Sequence, residues 1–116
     1  MRLADVQFRS HERAVVAHIT GEVDLSNVEE IGTALIDAIP NDSPALVIEL
    51  SDVEHLDSAG IQLIYRLRQD LRARGQTLRL VIPQGSAAHD ALRLAGVSTY
   101  IQLAETVDEA LAELPA

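Results

Sequence analysis

Residues 45–75 read ALVIELSDVEHLDSAGIQLIYRLRQDLRARG. Ala45 to Leu50 is an apolar run interrupted only by Glu49, the pattern of a buried strand. Past Gly60, the apolar positions Ile61, Leu63, Ile64, Leu67 and Leu71 predict a helix whose core face is 60, 64, 67 and 71. Gly75 is placed to end that helix in a left-handed conformation. Between strand and helix stands Asp57-Ser58-Ala59-Gly60, which puts a hydroxyl at a helix N-terminus. The unpaired N–H groups of a first helical turn, with the helix dipole, favour an anionic group there. Ser58 therefore reads either as the acceptor of a phosphate or, with Asp57, as a helix cap. A carboxylate three residues after the serine would repel a phosphate, but that position is Ile61.

Outward from this unit, strand and helix patterns alternate. Val6, Phe8 and then Ala14 to Ile19 predict two strands paired as a hairpin through Ser10-His11-Glu12-Arg13. Ser26 and Glu29 have the spacing of a reciprocal cap, so a helix begins near Asn27 with Val28, Ile31, Leu35 and Ile39 inward. Pro40-Asn41-Asp42-Ser43-Pro44 ends it. Leu78, Leu80 and Ile82 mark a strand, Ser86 to Leu94 a short helix, and Val97 to Leu103 a further strand. Thr106 and Glu109 open a last helix to about Leu114 by a second reciprocal cap. The order β-β-α-β-α-β-α-β-α predicts an α/β domain: a small mixed β-sheet with about four helices packed on one face. Residues 1–116 are expected to form a single domain, a usual length for one core.

Composition narrows the chemistry. The chain has no cysteine, which removes disulfides, thiolate metal sites and thiol nucleophiles. Met1 to Gln7 lacks the apolar stretch of a signal peptide, and no run nears the roughly 20 apolar residues of a membrane span, so a cytoplasmic location is expected. A formal charge of −9 disfavours direct contact with nucleic acid or an anionic membrane and favours protein partners. The charge is unevenly placed. Arg66, Arg68, Arg72, Arg74 and Arg79 face only Asp70 in a 14-residue window of net +4, which leaves −13 on the rest of the chain. That strip is either a solvated helix face or a contact for a phosphate or an acidic partner.

Catalytic readings find little support. A strand-to-helix nucleophile turn needs Gly-x-Ser-x-Gly, and Leu56 stands where its first glycine belongs. His55 is the nearest imidazole that could serve as a base for Ser58. His11, His18, His55 and His89 lack the spacing of a zinc motif, and the chain has no lysine for a phosphate loop or a Schiff base. Asp24 and Asp57 both follow strands and are candidates for one sheet edge. No metal, cofactor or enzymatic activity is expected.

Gly21-Glu22-Val23-Asp24-Leu25, Leu50-Ser51-Asp52-Val53 and Leu56-Asp57-Ser58-Ala59-Gly60-Ile61 resemble the STAS domain of bacterial anti-sigma factor antagonists, and the likeness covers nearly the whole chain. The resemblance implies that Ser58 is phosphorylated by an anti-sigma factor that is also a serine kinase, and restored by a serine phosphatase. Unphosphorylated antagonist would bind the anti-sigma factor and free the sigma factor. The implied partner surface is Asp24, Ser26, Asp57, Ser58, Ala59, Gly60 and Ile61, extended by Leu63. Ala59 stands where many such proteins carry a second hydroxyl. The same fold also serves as scaffold or accessory subunit in stressosomes and lipid-transport complexes, which is the rival expectation.

Overall fold

The computed structural model describes residues 4–114; Met1 to Leu3, part of the segment read above as lacking a signal stretch, and Pro115-Ala116 lie outside the described residues. Five strands form one sheet in the order β1-β2-β3-β4-β5: β1 (Ala4–His11), β2 (Ala14–Val23), β3 (Ala45–Leu56), β4 (Thr77–Val81) and β5 (Leu103–Ala104). The β1–β2 pair is the expected antiparallel hairpin, closed by Glu12 and Arg13 alone; the other pairs are parallel. Helices α1 (Val28–Ala38), α2 (Ser58–Ala73) and α3 (Ala87–Leu94) fill the connections, joined by a single turn, α4 (Val97–Tyr100), and a final helix, α5 (Val107–Ala112). This is the mixed α/β architecture the alternation predicts.

Alternate residues of the strands feed two cores. Val15, Ala17, Ile19, Leu46, Ile48, Leu50, Leu78 and Leu80 face α1, α2 and α3 and build the larger. Ala14, Val16, Ala45, Val47 and Val81 face the opposite way and pack against Ala110 and Leu114, so α5 covers the second face. The difference from one-sided packing has a topological cause. Parallel crossovers share one hand, so in a sheet that grows in one direction their helices lie on one side. α5 follows β5 and is not a crossover between two of the described strands, so it is free of that rule. Arg13 and Arg79 hold it there: Arg13 Nη2 donates to the Leu114 carbonyl at 3.1 Å and Arg79 Nη2 to that of Glu113 at 3.5 Å. Cations suit the carbonyl end of a helix. Arg79 is thereby separated from the arginine strip with which the sequence groups it.

Four local expectations change. β3 continues six residues beyond Leu50, because the register against β2 shifts between His18 and Thr20 and again between Gly21 and Glu22. Each shift places an additional residue in β3, so Leu50, Val53 and Leu56 all point into the core at a spacing of three. Val97 to Tyr100 is helical rather than extended: Val97 and Ile101, four apart, are both buried, and the Ile101 amide donates to the Val97 carbonyl at 2.9 Å. Ser26 does not cap α1. Its amide and hydroxyl both donate to Asp24 Oδ1, at 2.9 and 2.5 Å, and Asn27 is the residue at the cap position. At α5, Thr106 does cap the Glu109 amide, but the Glu109 carboxylate reaches the amide of Glu105 instead of closing the pair.

Gly75 meets its expectation, with φ +75°. The amides of Gly75 and Gln76 donate to the carbonyls of Arg72 and Leu71, which closes α2. The buried Gln76 side chain then donates to the carbonyls of Pro40 and Ser43 at 2.8 and 2.9 Å, fastening the end of α2 to the turn before β3.

Candidate functional site at the carboxyl ends of the parallel strands

Val23 pairs with Leu56, so the residues that follow them, Asp24 and Asp57, emerge side by side from the same sheet edge. The Asp57 amide donates to the Val23 carbonyl at 3.3 Å, joining the two loops. Crevices beyond strand carboxyl ends are where open α/β sheets place binding sites.

Asp57, not Ser58, caps α2. Its carboxylate accepts from the Gly60 amide at 3.1 Å and its carbonyl from the Ile61 amide at 3.1 Å. Ser58 is the first helical residue, it is exposed, and its hydroxyl has no hydrogen-bond partner among the described residues. The Ser58 and Ala59 amides likewise find no acceptor among the described residues, which leaves two donors open at the positive end of a 16-residue helix. Asp57→Ala should remove the cap and lower stability by about 0.5–2 kcal/mol, while Asp57→Asn should retain most of it. Thermal unfolding of the two variants beside the parent checks this.

Gly60 is buried, and its missing side chain serves the interior. A Cβ there would overlap Leu56 Cδ1 and lie 3.1 Å from Val23 Cγ1, so α2 can begin this close to the strand ends only with glycine. Gly60 therefore fixes the height of Ser58 above the sheet and is not itself a surface residue. Leu63 is also turned inward, at 4% exposure, and packs over Gly32 of α1, where a Cβ would come within 2.8 Å of Leu63 Cδ1. It reaches the surface only as a wall of a shallow hollow of about 220 Å³, which Leu25, Val28, Glu29, Ala59, Gln62 and Arg66 complete. Ile61 is half-buried.

Leu25 is the residue that the sequence reading leaves out of the surface. It is 79% exposed in the loop beside Asp24, at the edge of that hollow. An apolar residue between Asp24 and Ser26, outside any helical or strand period, is the signal that could have found it.

Asp24 is held by its own turn. The Ser26 hydroxyl and then the Ser26 amide keep its carboxyl below the ordinary value of 3.8, His55 adding a smaller attraction against desolvation. A carboxyl lowered in the folded chain contributes stability above its unfolded value and loses it as pH falls through the lower folded one. The Asp24–Ser26 turn is thus intact at neutral pH. An NMR titration should show the Ser26 amide resonance moving with a midpoint below 3.8.

His55 belongs to this end of the sheet, but no hydrogen bond joins it to Ser58 among the described residues. His18 is used elsewhere, with Nε2 2.7 Å from Asp52 Oδ2. No group of three His, Cys, Asp or Glu able to hold a metal ion occurs among the described residues, and no described helix is long and apolar enough to cross a membrane.

A hairpin-edged, otherwise parallel five-stranded sheet, with a serine at the start of the helix after its central strand, defines a STAS-type domain. The STAS domain family model matches residues 5–110, and the chain belongs to that family. It is 29% identical over 107 residues to the anti-sigma-F factor antagonist RsfB of Mycobacterium tuberculosis, a match that covers 91% of this chain and 85% of that protein. The crystal structure of an anti-sigma factor antagonist from Mycobacterium paratuberculosis superposes with a TM-score of 0.85 at 24% identity, covering 96% of this chain and 93% of that one. The phosphorylated form of the Bacillus cell fate determinant SpoIIAA superposes at 0.68 with 22% identity, covering 93% and 97%. These superpositions show a common fold.

Proposed function

We propose that this protein is an anti-sigma factor antagonist that works by partner switching. With Ser58 unmodified it binds an anti-sigma factor bearing serine kinase activity; phosphorylation of Ser58 releases that partner, and a serine phosphatase restores the bound state. The observation that carries the reading is the division of labour at the start of α2. Asp57 takes the cap, so the Ser58 hydroxyl is left exposed and unbonded. A serine needed for capping would be engaged with the backbone. The similarity to RsfB supports the regulatory role.

The surface offered to the partner is Asp24, Leu25, Ser26, Ser58, Ala59 and the half-buried Ile61, with Asp57, Gly60 and Leu63 setting its shape from beneath. A phosphate adds about −1.5 to −2 charges at pH 7. It would find the open amides of Ser58 and Ala59 on its own chain, while placing that charge beside Asp57 in the middle of the contact. The protein does no chemistry in this scheme: the kinase and the phosphatase act on it.

Incubation with the kinase partner and ATP, followed by intact-mass measurement and peptide mapping, tests the proposal. The expected result is the gain of one phosphate on Ser58 and none in Ser58→Ala. No gain in the parent chain would favour a constitutive scaffold or accessory subunit, in which Ser58 only begins the helix.

A further inference from the structure

The arginine-rich half of α2 makes a second surface that the Ser58 switch leaves unused. Tyr65, Arg68, Gln69, Arg72 and Ala73, with Tyr100 from α4, line an open groove of about 650 Å³. At 1.5 Å rise per residue, Arg68 and Arg72 lie about 15–21 Å along the helix from Ser58. The groove walls are fixed in place. The Tyr65 hydroxyl donates to the Ala95 carbonyl at 2.9 Å, and its ring meets Tyr100 edge to face with centroids 6.1 Å apart. Arg68 Nε donates to the Tyr100 carbonyl at 3.1 Å, with its guanidinium carbon 5.4 Å from the centre of the Tyr100 ring.

Arg68 is thus oriented by one nitrogen while its two terminal nitrogens have no acceptor among the described residues. The Arg72 guanidinium, one turn further on the same face, has no hydrogen bond or ion pair among the described residues. Asp70, the one acidic residue of the helix, pairs with neither neighbouring arginine within 4 Å, nor does any other described carboxylate. In a chain of net charge −9 these are cations with carboxylates in excess and none engaged. Guanidinium groups held in position and unneutralised are suited to bidentate pairing with an incoming carboxylate.

We infer that this groove docks a short acidic segment of a partner protein. Side chains at i and i+4 on a helix are about 6 Å apart, close to the spacing of alternate residues on an extended strand. Two carboxylates at alternate positions of such a segment point to the same side and reach Arg68 and Arg72 together. The strongly acidic remainder of the chain repels a long polyanion, so a short segment fits better than nucleic acid.

The chain has two tyrosines and no tryptophan, and both tyrosines line this groove, so intrinsic tyrosine emission reports on it directly. Titration of the full chain with an acetylated hexaglutamate peptide should give a saturable change in that emission. The binding should be suppressed in about 0.5 M salt and weakened at least about tenfold in Arg68→Gln/Arg72→Gln, with circular dichroism confirming that the variant is folded. No saturable change, or unaltered affinity in the double variant, overturns the inference. Tighter binding of tripolyphosphate than of hexaglutamate also overturns it, in favour of a small-anion site. None of these readouts involves Ser58, so they stand or fall apart from the phosphorylation switch.

Discussion

Ser58→Asp is expected to lower affinity for the kinase anti-sigma factor by at least about a hundredfold, and Ser58→Ala to bind like the unmodified protein and to stay bound when ATP is supplied. The size follows from burying an added, unpaired charge in a contact formed around a neutral hydroxyl, which costs several kcal/mol once water is excluded. Asp57 already places one carboxylate at the cap, and the new side chain adds a second on the adjacent residue. Stability should move the other way or hardly at all. Position 58 is the first residue of α2, where an anionic side chain is favoured by the helix dipole by about 0.3–1 kcal/mol. A variant that melts no lower than the parent yet binds far more weakly isolates the effect in the interface. Calorimetric titration against the kinase partner measures it, and undiminished affinity of the Asp variant would count against charge as the release signal.

How much of this site was legible before the structure depends on which physical signal each part carries. Asp57-Ser58-Ala59-Gly60 stood out because a strand pattern and a helix pattern meet there, and both patterns come from the larger core. Val28, Ile31, Leu35 and Ile39, like Gly60, Ile64, Leu67 and Leu71, are buried as their spacing predicts. What the pattern could not distinguish was which of two adjacent polar residues does the capping, since Asp and Ser are comparably good caps. Ser26 shows the same limit: its spacing from Glu29 fits a reciprocal cap, but Asp24, two residues earlier, captures its hydroxyl and its amide. The direction in which Gly60 uses its missing side chain was also hidden, because only Val23 and Leu56, brought together by sheet pairing, reveal it.

The illegible parts of the fold have related causes. The second half of β3 has a repeat of three, produced by two register shifts against a strand more than 30 residues away, so a search for period two ends at Leu50. Val97 to Ile101 is too short for its one pair of buried residues to separate helix from strand. α5 is amphipathic in sequence, but amphipathicity says that a helix has a buried face and not which side of the sheet receives it. Arg79 illustrates the cost of reading charge along the chain: it falls in the arginine window, yet strand alternation turns it to the α5 side.

Leu46→Ala is expected to have the largest effect on folding, a loss of about 3–5 kcal/mol from the 5–15 kcal/mol of a domain this size. Leu46 is fully buried in the central strand, between Val15 of β2 and Leu78 of β4, on the face covered by the crossover helices. Strands hydrogen-bonded on both sides cannot close in on the space a leucine leaves, so the cavity persists and adds to the lost transfer energy. Val47→Ala, one residue on, empties the opposite face instead. It removes two methyl groups, at about 0.8 kcal/mol each, beneath a six-residue helix that can settle inward. Urea unfolding should place the midpoint of Leu46→Ala well below that of Val47→Ala at similar slope; equal midpoints would mean that the two cores contribute alike. Leu46 stands at the amino-terminal end of β3, ten residues from Leu56 and, at about 3.3 Å per residue, some 30 Å from the Ser58 loop. Below its unfolding transition the variant should therefore bind the kinase partner with the parent's affinity, because the packing of Gly60 on Val23 and Leu56 that positions Ser58 is left untouched.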